Sequence, residues 1–509
     1  MLSAKVHRAI YIVLVAILGA SMVTSVFVAN MAWVFLGLNW LLEGRWREKW
    51  QMAKENRFLQ AFVGFYLLML VGMLWTSNAG SGWGTMQVLL PLLCVPLVML
   101  TTRPITGNAR ITVLAWYTLA VFVVSIIGLV RWLTIPDLPY RDIVPYISHI
   151  RFALSCCMVV YVCVGAMIDI DRKAIRWVTV PLIAWMIVFM VIIHSYTGII
   201  VLALVSLVML LTRWRRWPLV VLWVLLVGGA TAVVVYEAKS YYRMVPMAER
   251  PLQEFTVNGR PYEHAQDGII ENGNYIDNYV CDEELRTEWN RRSTLDYDSI
   301  ARSGYSVKST LIRYLNGLGL TKDSVGVASL SNAQVVSVEN GVANPVYEDG
   351  NVLRKMVYTM LLEREFYKHT RVVTGFTMLQ RLEMWNAAVY VIGQHPWFGV
   401  GTGDVVDSMH EYLVANSSAL ADKRMNCHCQ YLGIMAAIGI IGFVIVLLLF
   451  LRTMLPSRRF RNAMSGTLML PWFLTILISM VTEDTLATLA GILFCTYFLA
   501  FRNSKSSVK

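Results

Sequence analysis

The sequence runs to 509 residues, 57% of them hydrophobic and only 15% charged, with a mean hydropathy of +0.55. That balance lies outside the range of water-soluble globular chains and supplies many apolar runs near the roughly 20 residues that cross a bilayer. The net charge of +11 does not make a nucleic-acid binder, because the basic residues are scattered through connections and share no single face.

Along the chain, apolar runs at 9–28, 30–42, 58–74, 84–100, 111–130, 152–168, 177–193, 197–212, 217–236, 430–451, 466–482 and 485–501 predict twelve spans. The expected architecture is an all-α polytopic membrane protein: spans one to nine within 1–236, a large, mostly helical loop subdomain over 237–429, and spans ten to twelve within 430–509. The first pair forms one continuous apolar run, too long for a single crossing, and divides near Asn30. The last pair divides at Glu483-Asp484, since two adjacent carboxylates are costly in hydrocarbon and natural in a reversing turn.

Orientation follows from the positive residues, which accumulate in short cytoplasmic loops. With the amino terminus inside, 22 of the 44 Lys and Arg fall on inner pieces, among them 43–57, 213–216, 452–465 and 502–509. The short outer loops hold only Arg131, Arg141 and Arg151. Fusing the first two spans would invert every later loop and destroy this asymmetry. The first apolar run lacks a small-residue cleavage site, so no cleavable signal is expected.

The outer segment contains helical spacing at S-T-L-I-R-Y-L-N-G-L-G-L, L-S-N-A-Q-V-V-S-V-E-N-G and N-V-L-R-K-M-V-Y-T-M-L-L-E-R-E-F-Y, with Gly or Asn at their ends as stop signals. Residues 244–280 lack periodicity and predict irregular chain. Five cysteines, Cys94, Cys156, Cys157, Cys163 and Cys495, fall within spans as small apolar residues; a disulfide from Cys281 to Cys427 or Cys429 is open. In C-H-C at 427–429, neighbours on a helix point about 100° apart and cannot converge on one ion, so no metal is expected. G-V-G-T-G-D at 399–404 lacks the lysine and preceding strand of a nucleotide loop and reads as a turn that lets backbone approach something closely.

Arg381 and His428 carry the most weight. Taken alone, Arg381 reads as a solvated arginine packing its stem on Trp385, four residues on, and His428 as a structural histidine. Their placement around a glycine-rich turn at a membrane mouth points elsewhere. The pattern R-L-E-M-W-N-A-A, then H-P-W-F-G-V-G-T-G-D, then H-C-Q-Y-L followed by G-I-I-G resembles the O-antigen ligase family, which includes O-antigen polymerases and some protein O-oligosaccharyltransferases. The twelve spans, the long outer loop between the ninth and tenth, and the acidic turn Glu483-Asp484 resemble that family too. Residues 237–370 resemble it in position, and in style resemble ligase-like proteins of Bacteroidetes.

The resemblance implies a metal-independent membrane glycosyltransferase of the bacterial inner membrane, needing no cofactor. It would move a glycan from a polyprenyl (undecaprenyl) diphosphate carrier to an acceptor hydroxyl on lipid A-core, at the periplasmic face among membrane lipids. His428 matches the histidine that takes the acceptor's proton and Arg381 the arginine that holds the diphosphate. The chemistry suits both, since a diphosphate is already a good leaving group and needs a base near neutrality and cationic clamps. Many relatives carry Ser-Arg at the start of the eighth span; here Ser195 is kept and Tyr196 replaces the arginine. Arg151 and His194 are the candidates for the second contact, with Arg151 equally readable as an interfacial anchor. His149 and Arg141 follow behind them. Ser195, Gly401 and Gly403 are further substrate-side candidates, while His395 and His410 read as structural. Repeat-unit polymerisation and transfer to protein Ser or Thr use the same donor chemistry; the R-x-x-x-W element and the histidine ahead of Y-L favour ligation. A transporter would instead place ionisable residues in mid-span, and these spans are almost free of charge.

Overall fold

The computed structural model describes residues 2–135, 138–170, 173–214, 217–243, 252–266, 268–348, 351–370, 377–454 and 468–502. The basic connections expected at 213–216, 452–465 and 502–509 fall largely outside the described residues, as do 244–251 and 267 of the stretch expected to be irregular. Nine helices among the described residues are long and apolar enough to cross a membrane, and three shorter apolar helices, Tyr196–Thr212, Met469–Ser479 and Leu489–Phe501, take the places of the other predicted spans. The chain is an all-α polytopic membrane protein. All eight cysteines are free.

The chain divides into two compact units, Met1–Trp217 together with Arg381–Lys509, and Pro218–Gln380. In the first unit the opening pair of helices, Ala4–Thr24 and Val26–Glu43, breaks at Ser25 rather than near Asn30. Ser25 is extended, and its hydroxyl accepts the Val28 N–H at 3.3 Å, satisfying a donor that a new helix leaves orphaned. Asn30 sits inside the second helix, where its side chain accepts from Trp33 Nε1 at 3.1 Å. A continuous apolar core links these helices to His149–Asp169 and to the closing helices through fully buried Val15, Leu18, Phe152, Met158 and Phe498.

The helix Gln430–Met454 is not continuous: Gly439 has φ 69° and ψ 179°, a conformation in which a side chain is strained. The backbone groups freed there pair with the loop before it. Val400 N–H donates to Ala436 O at 2.9 Å and Gly401 N–H to Ala437 O at 3.0 Å, while Ile440 N–H donates to Pro396 O at 2.8 Å. A broken helix in a membrane requires such replacement partners.

The second unit begins with the apolar helix after Trp217 and continues into a polar fold. Its helices Asp282–Arg292, Val307–Leu318 and Asn332–Glu339 surround a core of Trp289, Tyr297, Leu311, Tyr314 and Val338. Gly319 closes the second of these in the left-handed conformation, and Ser331 and Gln334 form a capping box on the third. One antiparallel pair, Ile270–Glu271 with Asn274–Tyr275, is the only sheet among the described residues. From it Glu271, fully buried, receives Arg313 Nε at 3.1 Å, Arg313 Nη2 at 3.1 Å, Asn344 Nδ2 at 2.9 Å and the Tyr358 hydroxyl.

Candidate functional site

The site is built inside the first unit, around the turn between Met469–Ser479 and Leu489–Tyr497. Glu483 and Asp484 occupy that turn, and both are buried. They carry more than a change of direction.

Arg381 lies on Thr377–Gln394 and directs Nη2 to Glu483 Oε1 at 2.7 Å. Its side chain is only 12% exposed, which removes the solvated reading. Its Nε is buried and makes no hydrogen bond, and neither does Trp385 Nε1 one turn further on.

His428 lies two residues before the start of the helix Gln430–Met454. Its φ of 56° makes it one of six non-glycine residues in the left-handed region among the described residues, and His194, with φ 49°, is another. Asp484 holds the first of these turns: its Oδ2 accepts the His428 backbone N–H at 2.6 Å. The same oxygen is 3.9 Å from His428 Nδ1, beyond a hydrogen bond. The next residues are stitched to the same turn, since Gln430 N–H donates to Met480 O at 2.9 Å, Gln430 Oε1 accepts from Leu486 N at 2.7 Å, and the Tyr431 hydroxyl donates to Leu477 O at 2.7 Å.

Arg151, in the first turn of His149–Asp169, completes the cluster. It lines a small crevice with Thr485 and Ser155, and its Nε is buried without a partner, as is the Thr485 hydroxyl. His149 and His194 meet on the ring of Tyr140, with centroids at 5.4 Å and 5.3 Å. Ser195 is 1% exposed and its hydroxyl also lacks a partner. Thr197 and Thr482 hydroxyls, 3.5 Å apart, tie this second left-handed turn to the acidic one.

Electrostatics follow from burial opposed by charge. Burial, then Arg381 and Arg151, push the His428 pKa down, so the imidazole is neutral near pH 7 despite the carboxylate beside it. Burial raises the Glu483 carboxyl against the pull of Arg381 and Arg151. It also raises Asp484 to about 6, against the His428 N–H bond. Burial likewise keeps the Cys427 and Cys429 thiols protonated, and no group of three or more His, Cys, Asp or Glu among the described residues is placed to hold a metal.

The structure thus gathers His428, Arg381 and Arg151, with His194, Ser195 and His149 alongside. Gly401 and Gly403 are placed against the chain's own backbone instead. A Cβ on Gly401, whose φ is 104°, would meet Thr76, and one on Gly403 would lie 2.4 Å from Asn78 O. Asp404 accepts from Ser77 N at 2.6 Å and Asn78 N at 2.7 Å, and Thr402 Oγ1 donates to Met69 O at 2.5 Å. The close approach expected of this turn is to the ends of neighbouring helices. His395 accepts the Gly399 N–H at 3.1 Å through its carbonyl, while His410 Nδ1 is buried without a partner. The partners of Arg381 and His428 were not visible in sequence. Their one signal was the expense of setting Glu483 beside Asp484 between apolar runs.

Comparison with known families bears on one segment of the site. Residues 351–447 match the O-antigen ligase family model. The matched stretch contains Arg381, the glycine-rich turn, the Gly439 break and His428, the same segment on which the resemblance in sequence rested. The match makes this segment, about a fifth of the chain, similar to O-antigen ligases, within an all-α chain rich in apolar helices. No curated protein matches the chain.

Proposed function

We propose that this ligase-type protein transfers a glycan from a polyprenyl diphosphate carrier to a hydroxyl of lipid A-core. His428 accepts the acceptor's proton on its ring nitrogen as the acceptor oxygen bonds the anomeric carbon. The bond from that carbon to the diphosphate breaks, and the polyprenyl diphosphate leaves with the bonding electrons. Arg381 and Arg151 hold the diphosphate, whose charge grows as the bond breaks. Glu483 keeps Arg381 aimed before the donor arrives, and Asp484 positions His428 through its backbone. Ser195 and His194 lie on the donor side, where Tyr196 stands in place of an arginine.

The observation carrying this reading is the set of buried, unpartnered donors, Arg381 Nε, Arg151 Nε and the Ser195 and Thr485 hydroxyls, at a turn shared with a neutral histidine. Buried donors normally find partners, and phosphate oxygens are suitable ones. Orientation with this turn toward the periplasm of a bacterial inner membrane is supported by the distribution of Lys and Arg.

The test is deletion of the gene with gel analysis of lipopolysaccharide and glycoproteins, complemented by wild-type or His428→Ala. Loss of all long-chain glycan from lipid A-core, restored only by wild-type, is expected. Core bearing a single repeat unit would make the protein a polymerase, and unglycosylated protein with normal lipopolysaccharide would make it a protein-directed transferase.

A further inference from the structure

A second concavity, lined by charged side chains, lies at the other end of the same helical unit. It is bounded by the start of Ala4–Thr24, the end of Val26–Glu43 and the end of Ala79–Thr101, whereas the Arg151 turn opens the sixth crossing, five crossings later. An odd number of crossings separates the two, so they face opposite sides of the membrane.

The cavity measures about 280 Å³ and is lined by Lys5, Arg8, Arg45, Lys49 and Arg103 against Glu43 and Glu48, five cations to two carboxylates and a net charge of +3. Glu43 engages Lys49 at 3.0 Å, and Glu48 pairs with Arg45. Lys5, Arg8 and Arg103 enter no ion pair among the described residues. Arg8 is pinned rather than free to swing: it donates to Arg103 O at 2.5 Å and Pro104 O at 2.8 Å, holding the Arg103 segment across the cavity from Lys5. Basic residues that merely mark an inner loop would be solvated separately, and these share one concave wall.

The chain leaving the cavity forms a short amphipathic helix, Trp46–Glu55, with Trp46 52% and Trp50 64% exposed. Exposed tryptophans beside lysines at the end of membrane helices sit at the headgroup level. The cavity is slightly smaller than the roughly 300–1,000 Å³ of sites that engulf whole small molecules, which suits a headgroup whose remainder stays in the bilayer.

The geometry points to a site for the phosphodiester headgroup of an anionic phospholipid, held by Lys5 and Arg103, with Arg8 fixing the Arg103 segment, on the membrane face opposite His428. This does not depend on the transferase reading. It is tested by native mass spectrometry of the detergent-solubilised full chain titrated with phosphatidylglycerol, phosphatidylcholine or inorganic phosphate. Phosphatidylglycerol is expected to bind wild-type well above phosphatidylcholine. The double variant Lys5→Gln/Arg103→Gln should bind it about thirty-fold more weakly. Lys5→Arg/Arg103→Lys should bind like wild-type, as should Arg47→Gln/Lys54→Gln outside the cavity. Equal binding by the Gln double variant and wild-type would overturn the site, and so would competition by millimolar inorganic phosphate as effective as the lipid, which would assign the cavity to a soluble anion.

Discussion

Two buried arginine–carboxylate pairs, one in each unit, have opposite characters. Arg313 meets Glu271 through two hydrogen bonds, and Asn344 and Tyr358 fill what remains of the carboxylate. Arg381 meets Glu483 through a single bond and keeps a buried Nε unused. Removing one partner of a buried pair leaves an expensive charge, so a saturated pair serves the fold. An unsaturated one leaves a donor unused, which suits the ligand-holding role proposed above. The contrast separates structure from function more sharply than burial, since both carboxylates are buried.

The largest effect that would sharpen this contrast is on chemistry at the open pair. His428→Ala should lower transfer by about 10²–10⁴-fold, the usual range for losing a general base, while the protein accumulates normally in membranes. Next in size is a swap of carboxylates. Glu271→Ala should destabilise the 218–380 unit by roughly 3–5 kcal/mol, read as proteolytic susceptibility, whereas Glu483→Gln should leave protease resistance intact. Similar fragility in both would erase the distinction. Arg381→Lys, which keeps charge and loses the planar fork, should cost about tenfold in apparent donor affinity, measured as KM in a membrane assay.

The pH profile is a finer probe. A base works in its neutral form, above its pKa, and the His428 pKa is held below the ordinary 6.5 by burial and by Arg381 and Arg151. The rate should therefore stay level from pH 8 to below 6.5 and fall only in more acid solution, where Asp484, with a pKa of about 6, also loses charge. Arg151→Gln should move that acid limb upward. The smallest expected effect is none: on the proposed reading, chelators should leave the rate unchanged, because Arg381 and Arg151 would supply the charge that a cation would otherwise bring to a diphosphate.

Much of the fold was legible because a membrane span announces itself locally. The twelve apolar runs appear as nine long and three shorter apolar helices among the described residues. Arg381 and His428 were legible as residue types in a spaced pattern. Their partners were not, because Arg381 and Glu483 are 102 residues apart and His428 and Asp484 are 56 apart, and no local periodicity encodes such a meeting. The Ser25 break was missed although serine is a standard helix cap, because the apolar run passes over it unbroken. Gly439 was hidden similarly: glycine inside an apolar run marks no break until the loop that fills it is known.

That filled break has a mechanical consequence. Gly439 and the 396–401 loop clasp one another like the pivot of a caliper. One arm, back along Thr377–Gln394 to Arg381, is about 20 Å long, and the other, from Gly439 back to Gln430 beside His428, is about 14 Å at 1.5 Å per residue. One inserted residue in either arm would turn its tip by about 100° about the helix axis, so the two tips meet at the 483–484 turn only at the present lengths.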